Sequence, residues 1–297
     1  MIDVPIFPAR RPLLIEDKVL FDPIFKKFPP KVSEYTFTNL FAWRRAYQFT
    51  LSQLSNVLLV AAQKKDHTVL FDPIGPQELK RSIVEKVFKV AEEKVIFSRL
   101  PQETVDLFKE DHAVRIAEER DHFDYVYRSK DLIELKGKDY DGKRNFIKRF
   151  KDAVPFEYKK LTYKTALKCL SFKEEWCLAK DCMHSEGLMR EKEALEEMLL
   201  QFDELKMAGG LIEINGKVEA VSLGEALNPE TFVVHMEKAN GAFIGIYQAL
   251  NQIFAESEAS AFTYINREQD LGVPGLRQSK ESYHPSQMIK KYTLARK

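Results

Sequence analysis

The pattern of apolar and polar positions switches repeatedly between helical and extended periods along the chain. In residues 76–93 the apolar side chains recur every three or four positions, and Pro76 stands near the first turn, where a helix tolerates proline. Residues 49–63 are rich in Leu and Val, and a turn at residues 54–56 can divide them into the two arms of a hairpin. A helix is predicted over residues 32–47, with Ser33 as its N-cap. This alternation predicts an α/β protein.

The second half of the chain repeats this order of elements. Asn215 and Gly216 separate two apolar runs, and an Asn-Gly pair in that setting is a strong hairpin signal. Further strands are predicted at 231–236, 262–266 and 288–295, and a helix at 246–256. Each half therefore contains a three-stranded meander, a helix, a strand, a second helix and a closing strand. We expect the two halves to be copies of one fold.

A chain of 297 residues is long enough for two domains. The element order places a first domain at residues 1–129 and a second at 153–297. Residues 130–152 are predicted to form a basic helical segment that connects them. The second domain is expected to hold the active site, within a polar cleft bounded by residues 235–245 and 266–272.

Composition narrows the class of protein without naming a function. Hydrophobic residues make up 44% of the chain, and 46 Lys and Arg against 45 Asp and Glu leave a net charge of +1. This balance excludes a strongly basic nucleic-acid coat and an acidic tail. A wholly apolar run reaches only six residues, at 57–62, whereas a membrane-spanning helix needs about 20. No secretory signal is visible, so we expect a cytoplasmic protein.

The three cysteines, Cys169, Cys177 and Cys182, favour reduced thiols over a disulfide scaffold, because their number is odd and small. With His184 they invite a metal site, but their spacings of eight and five match no standard zinc pair. We predict no metal.

Five sequence blocks cover nearly the whole chain: Ser33–Leu40 with Trp43, Leu135–Lys138 with Lys143–Asn145, Val234–Asn240, Tyr264–Gly272 and Gly275–Pro285. These blocks resemble a bacterial family of unknown function that is related to the C-terminal domain of phosphatidylglycerol lysyltransferase. Similarity to the lysyltransferases themselves rests mainly on Lys280, Pro285 and Tyr292. Lys280 is for that reason counted among the candidate substrate-binding residues.

The resemblance, together with the order of elements, implies two tandem GNAT-like acyltransferase domains. Each would be a mixed, mostly antiparallel sheet flanked by helices, and the first would be a degenerate copy. A GNAT protein binds the pyrophosphate of acyl-CoA in the loop after its fourth strand, where backbone N–H groups face the anion. Here that loop spans residues 237–245. The resemblance implies cofactor contacts from five residues: Lys238, Asn240, Gly241, Gly245 and Arg277.

The usual glycine spacing of that loop is not met, so an ordinary strand-to-helix turn is the alternative. The equivalent loop in the first half, residues 71–76, contains Pro73 and Pro76. Two prolines remove two N–H donors, which argues against a phosphate site there.

Charged residues cluster at the ends of two predicted strands in the second half. Strand alternation places His235 and Glu237 on one face, and Asn266, Arg267, Glu268 and Asp270 end the neighbouring strand. Strand ends are where an open sheet binds ligands. We therefore predict catalytic roles for His235, Glu237 and Glu268. Asn266, Arg267 and Asp270 are predicted to bind substrate. A structural network of ion pairs is the alternative interpretation.

Tyr283 follows the last predicted helix, where GNAT enzymes often carry a Tyr that protonates the leaving thiolate. A phenol with a pKa of about 10 can do so only if its environment tunes it. A Tyr that only packs is the alternative.

The segment from Lys136 to Lys168 holds eleven Lys and Arg but only four Asp and Glu. Such a patch can bind the phosphates of a tRNA or of a lipid, although a solvated helix face has the same composition.

These residues together predict an acyl or aminoacyl transferase that moves a group from acyl-CoA or aminoacyl-tRNA to an amine or hydroxyl acceptor. The alternative is a non-catalytic protein that retains the fold and binds a small metabolite.

Overall fold

The structure, a computed structural model, describes residues 2–297 as two compact units. The first unit contains the chain up to Asp124, together with Gln269–Val273 and Met288–Lys297. The second contains Tyr125–Glu268 and Pro274–Gln287. The sequence predicts two domains that follow one another along the chain, divided at residues 129 and 153. In the structure, by contrast, the chain after residue 268 alternates between the two units.

Fourteen strands are distributed over two sheets of seven among the described residues. In chain order they are β1 (Arg11–Pro12), β2 (Phe49–Leu54), β3 (Val57–Gln63), β4 (Thr68–Leu70), β5 (Val95–Leu100), β6 (Val114–Glu118), β7 (Asp124–Arg128), β8 (Glu157–Lys160), β9 (Ala208–Ile214), β10 (Lys217–Asn228), β11 (Thr231–Ala239), β12 (Tyr264–Asn266), β13 (Gln287–Ile289) and β14 (Tyr292–Arg296).

Eleven α-helices flank the sheets within residues 2–297. They are α1 (Lys18–Lys27), α2 (Phe37–Tyr47), α3 (Gln77–Val90), α4 (Gln102–Val105), α5 (Ser129–Glu134), α6 (Asp141–Ala153), α7 (Tyr163–Ala179), α8 (Glu186–Leu200), α9 (Phe202–Leu205), α10 (Ile246–Ala259) and α11 (Pro274–Glu281). Two mixed, mostly antiparallel sheets with helices confirm the predicted fold class.

The two sheets have the same internal order. The first runs β1-β2-β3-β4-β5-β14-β6, and the second, read from its other edge, runs β8-β9-β10-β11-β12-β7-β13. In each sheet a parallel pair follows the meander, β4 with β5 and β11 with β12, joined by a crossover helix. Parallel neighbours need such a crossover, which α3 and α10 supply.

One strand in each sheet comes from the other half of the sequence. β14, at the C-terminus, pairs with β5 and β6, while β7 pairs with β12. The apolar pattern predicts strands at residues 123–127 and 288–295 but says nothing about their partners, because register and pairing depend on long-range contacts.

The helix predicted over residues 32–47 begins later than expected, at Phe37, and its N-cap is Thr36, whose side chain accepts from the N–H of Asn39. The prediction of Ser33 as the cap is therefore wrong. Ser33 is fully buried, and its hydroxyl donates to Asp124 Oδ1 across 2.8 Å. The buried Lys291 donates to the same oxygen across 2.6 Å, so the segment before α2 is anchored by a buried ion pair.

A β-bulge interrupts β11 at the candidate site. Leu223 pairs with Met236 and Gly224 pairs with Val234, so the register skips His235. A Cβ at Gly224 would stand 2.3 Å from the carbonyl oxygen of Val233, which explains the glycine. Bulges re-aim side chains, and this one breaks the alternation that was expected to place His235 and Glu237 on one face.

Candidate active site

His235 lies between two carboxylates in the middle of β11. Its Nδ1 is 2.8 Å from Glu268 Oε1 and its Nε2 is 2.9 Å from Glu225 Oε1, and its side chain is only 1% exposed. Burial lowers the pKa of this imidazole, but hydrogen bonds to Glu225 and Glu268 outweigh it and raise the pKa to about 9. A pKa of about 9 favours the charged imidazolium at neutral pH.

Glu268 has a left-handed backbone, with φ of 58°. Its N–H donates to the side-chain oxygen of the fully buried Asn266 across 2.8 Å, which holds the turn after β12. A non-glycine residue in this region is uncommon and marks a constrained segment. Asn266 and Glu268 together fix the backbone on either side of Arg267.

Arg267 lies at the centre of a second polar group. Its Nη2 is 3.2 Å from Glu237 Oε1, and Glu237 Oε2 accepts from Asn251 of α10 across 3.0 Å. The guanidinium carbon lies 4.9 Å from the ring centroid of Tyr283 and 5.8 Å from that of Tyr127. Nη1 of Arg267 is buried and has no hydrogen-bond partner. A buried donor of this kind is costly unless a ligand satisfies it.

Lys143 of α6 approaches the same tyrosine. Its Nζ lies 4.2 Å from the ring centroid of Tyr283 and donates to Ser282 Oγ across 2.6 Å. Burial and the charge of Arg267 lower the pKa of Lys143. Burial raises the pKa of Tyr283 despite the opposing effect of Arg267, so its phenol stays protonated. Two cations and a neutral phenol thus share one site.

Lys280 contacts the backbone of Arg267 and the side chain of Tyr127. Its Nζ donates to the backbone carbonyl of Arg267 across 2.6 Å, and its own carbonyl accepts from the Tyr127 hydroxyl across 2.8 Å. With 8% exposure, Lys280 positions Arg267 through protein contacts.

The predicted pyrophosphate loop is occupied largely by the protein's own contacts. Lys238 forms an ion pair with Glu191 at 2.6 Å, and Asn240 donates to Glu219 across 2.8 Å. Gly245 has a φ of 93°, and a Cβ there would stand 2.1 Å from the Phe146 carbonyl oxygen of α6. Its lack of a side chain serves helix packing.

The remaining predicted residues differ in their surroundings. Gly241 borders open space, and Arg277 is half-buried on α11. Asp270 belongs to the first unit, where it is fully buried, pairs with Arg120 at 3.1 Å and caps the N–H of Gly272. These two contacts hold the turn after β12.

Sequence reasoning missed three residues of the Arg267 group as site members: Tyr127, Lys143 and Asn251. Asn251 carried a signal, because a buried amide on an otherwise apolar helix face needs a polar partner. Lys143 was visible as one cation of the basic segment and as part of the block Lys143–Asn145, and Tyr127 only as a strand residue.

Of two cavities among residues 2–297, neither is lined by residues 235–245 or 266–272, where the main cleft was expected. One of about 300 Å³ lies in the first unit, among residues 24–35 and 72–103. The other, of about 510 Å³, lies in the second unit near Ser129 and Tyr264, at the start of β12. Arg267 lines neither cavity.

Within residues 2–297 the structure has no group of three or more metal-ligating side chains. Over the same residues, no helix combines the length and the apolar character that crossing a bilayer requires. The three cysteines are buried and unpaired.

The two seven-stranded mixed sheets define the class of fold. Residues 25–295 match the model of one family, "phosphatidylglycerol lysyltransferase, C-terminal". The chain belongs to this family, which confirms the resemblance drawn from the sequence blocks. No curated protein matches the sequence.

Solved structures agree with that assignment. A conserved protein of unknown function from Bacteroides thetaiotaomicron is 30% identical, with a TM-score of 0.88, and the match covers 97% of this chain and 99% of that one. L-PGS from Bacillus licheniformis shares the fold at 15% identity and a TM-score of 0.68, over 97% and 93% of the two chains. FemX shares it at 6% identity and a TM-score of 0.58, over 96% of both chains.

Proposed function

We propose that the chain is an aminoacyl transferase whose reacting group binds beside Arg267, Lys143 and Tyr283 in the second unit. The observation that carries this proposal is the buried, unpartnered Nη1 of Arg267. Membership of a family named for lysyl transfer supports an aminoacyl group over a simple acyl group.

Acyl transfer passes through a tetrahedral intermediate that carries an oxyanion. Fixed donors in a water-poor site stabilise such an anion strongly. Arg267 is held by Glu237 on one side and by Lys280 on its carbonyl, so Nη1 is a pre-oriented donor. Lys143, whose Nζ lies 4.2 Å from the ring centroid of Tyr283, adds a second positive charge beside this ring.

Tyr283 suits an oxygen ester better than a thioester. Its raised pKa makes proton donation to a thiolate, whose conjugate acid has a pKa near 8.5, unfavourable. An alkoxide is far more basic and would accept the proton readily. The protein contacts of Lys238, Asn240 and Gly245 likewise leave little of the loop for a pyrophosphate. Both points favour aminoacyl-tRNA over acyl-CoA as donor.

Helix α6 carries exposed cations that could bind the phosphates of the donor. Lys148, Arg149 and Lys151 are exposed and form no ion pair within residues 2–297, whereas Lys159 pairs with Glu213. We infer that this face of the basic segment contacts tRNA. The acceptor would be an amine or hydroxyl compound, and a cytoplasmic location would supply charged tRNA.

The test is transfer from lysyl-tRNA labelled in the lysine, with phosphatidylglycerol vesicles and, separately, a set of soluble amines as acceptors. The proposal expects label in an acceptor, or accelerated loss of label from tRNA. Arg267→Gln should abolish either signal, while Lys217→Gln, an exposed lysine paired with Glu175, should not change it. Labelled acetyl-CoA run in parallel separates the two donor classes.

Transfer from acetyl-CoA alone would overturn the aminoacyl assignment. Tight binding of lysyl-tRNA or a metabolite without any turnover would instead identify a non-catalytic binding protein.

A further inference from the structure

The cavity of about 300 Å³ in the first unit has a largely apolar wall with a polar floor. The wall is formed by the end of α1, the segment after it and the loop after β4. Its apolar members are Phe25, Phe28, Pro29, Pro30 and Ile74. Proline fixes its own φ, so the segment that carries Pro29 and Pro30 is a pre-formed wall.

Asp72 supplies the floor with an unused hydrogen-bond acceptor. The residue is 4% exposed, and its Oδ2 accepts from Lys80 Nζ, but its Oδ1 is buried without a partner. Its backbone N–H donates to the Tyr35 hydroxyl across 2.8 Å, and that hydroxyl donates to the Arg99 carbonyl across 2.9 Å. Asp72 is therefore held in place with one oxygen left for a donor.

The charges around the cavity favour an anion. Lys27 and Lys31 line it and are exposed, and neither forms an ion pair within residues 2–297. Lys80 also lines it, so three lysines face only two carboxylates, those of Asp72 and Glu103. An ammonium group at Asp72 Oδ1 would meet repulsion from Lys80, whereas a neutral N–H or O–H would not.

We propose that this cavity binds an apolar organic anion that also carries a neutral N–H or O–H group. The donor group would reach Asp72 Oδ1, the apolar body would lie against the phenylalanine and proline wall, and the anionic group would meet Lys27 and Lys31. The site uses none of the residues of the proposed transfer reaction, so the two proposals can fail separately.

Ligand-observed NMR titration with N-acetyl-L-phenylalanine tests the proposal, because this probe has an apolar ring, an amide N–H and a carboxylate. Two analogues each change one feature: N-methylation of the amide removes the donor, and the methyl ester removes the anion. A third analogue, phenethylamine, keeps the ring but has an ammonium group in place of both the amide and the carboxylate. We expect the parent acid to bind, and each analogue to bind about tenfold more weakly.

Asp72→Asn is the decisive variant. Lys80 Nζ can only donate, so the new amide would turn its oxygen towards Lys80 and its NH₂ group into the cavity. Residue 72 then presents a hydrogen-bond donor to the cavity in place of an acceptor, while its contact with Lys80 is kept. Affinity for the parent acid should fall about tenfold, and affinity for the N-methyl analogue should not fall.

The role of the two exposed lysines is tested with Lys27→Gln combined with Lys31→Gln. This double variant should bind N-acetyl-L-phenylalanine more weakly but should bind its methyl ester as before. Lys26→Gln is the matched control, since Lys26 is exposed on the same helix and does not line the cavity. Circular dichroism and the thermal midpoint confirm that each variant is folded. Preference for phenethylamine, unchanged binding in folded Asp72→Asn, or no binding of any probe at millimolar concentration would each overturn the proposal.

Discussion

Glu268 accepts a hydrogen bond from His235 across 2.8 Å, and the imidazole of this pair is held in its charged form. Since the folded-state pKa of about 9 exceeds the ordinary 6.5, protonation of His235 stabilises the fold. This contribution is fully present below pH 6.5 and is lost as the pH rises towards 9.

We therefore expect the free energy of unfolding to fall between pH 6.5 and 9, by up to about 3 kcal/mol. Urea unfolding across this pH range measures it. His235→Gln should flatten the profile, whereas His184→Gln, an exposed histidine, should leave the slope intact. An unchanged slope in His235→Gln would show that other groups cause the pH dependence.

Arg267→Gln should lower transfer by about 10²–10³-fold, the cost of losing one oxyanion donor. It should also lower the thermal midpoint, because Glu237 loses its buried cation. Adding Glu237→Gln should restore much of the midpoint but none of the activity. Recovery of activity in the double variant would show that Arg267 acts only through Glu237.

Tyr283→Phe should lower transfer from an ester donor by about 10²–10⁴-fold, as expected for a lost general acid. The ring contacts with Lys143 and Arg267 do not need the hydroxyl, so the thermal midpoint should change little. Tyr163→Phe, at an exposed tyrosine, is the control. Full activity in Tyr283→Phe would assign this ring to packing.

Gly245→Ala should destabilise the second unit by about 2–4 kcal/mol, because the added Cβ meets the Phe146 carbonyl in a left-handed backbone. Gly241→Ala, a few residues earlier in the same loop, meets nothing within 4 Å and should have almost no effect. Chemical denaturation of the two variants compares them directly. Equal stability would mean that α6 does not pack against Gly245 as described.

Replacing Lys148, Arg149 and Lys151 together by Gln should weaken tRNA binding and reduce the slope of log K against log salt by about 2–3. The charge-matched control replaces Lys64, Lys65 and Lys94, three exposed lysines of the first unit. Filter binding at several salt concentrations gives both slopes. Equal loss in the two triple variants would point to a nonspecific charge effect.

Local signals in the sequence determined many of the elements. The Asn215-Gly216 turn lies between β9 and β10 with both residues at positive φ, as the hairpin prediction requires. The helical spacing of apolar residues predicted α3 and α10, and the strand-end charges pointed to the region of Arg267. These signals predict the elements correctly because they depend only on residues that are neighbours in the chain.

Tertiary structure alone decided which strands pair and which charges meet. β7 and β14 look alike as short alternating strands, yet each completes the sheet formed mainly by the other half. In the loop of residues 71–76, Pro73 and Pro76 have no N–H, but burial left the Asp72 carboxylate with one unpaired oxygen. His235 lies at a bulge in β11 between two carboxylates, which favour its charged form. Pairing, burial and charge partners arise from residues far apart in sequence, whose proximity no local pattern encodes.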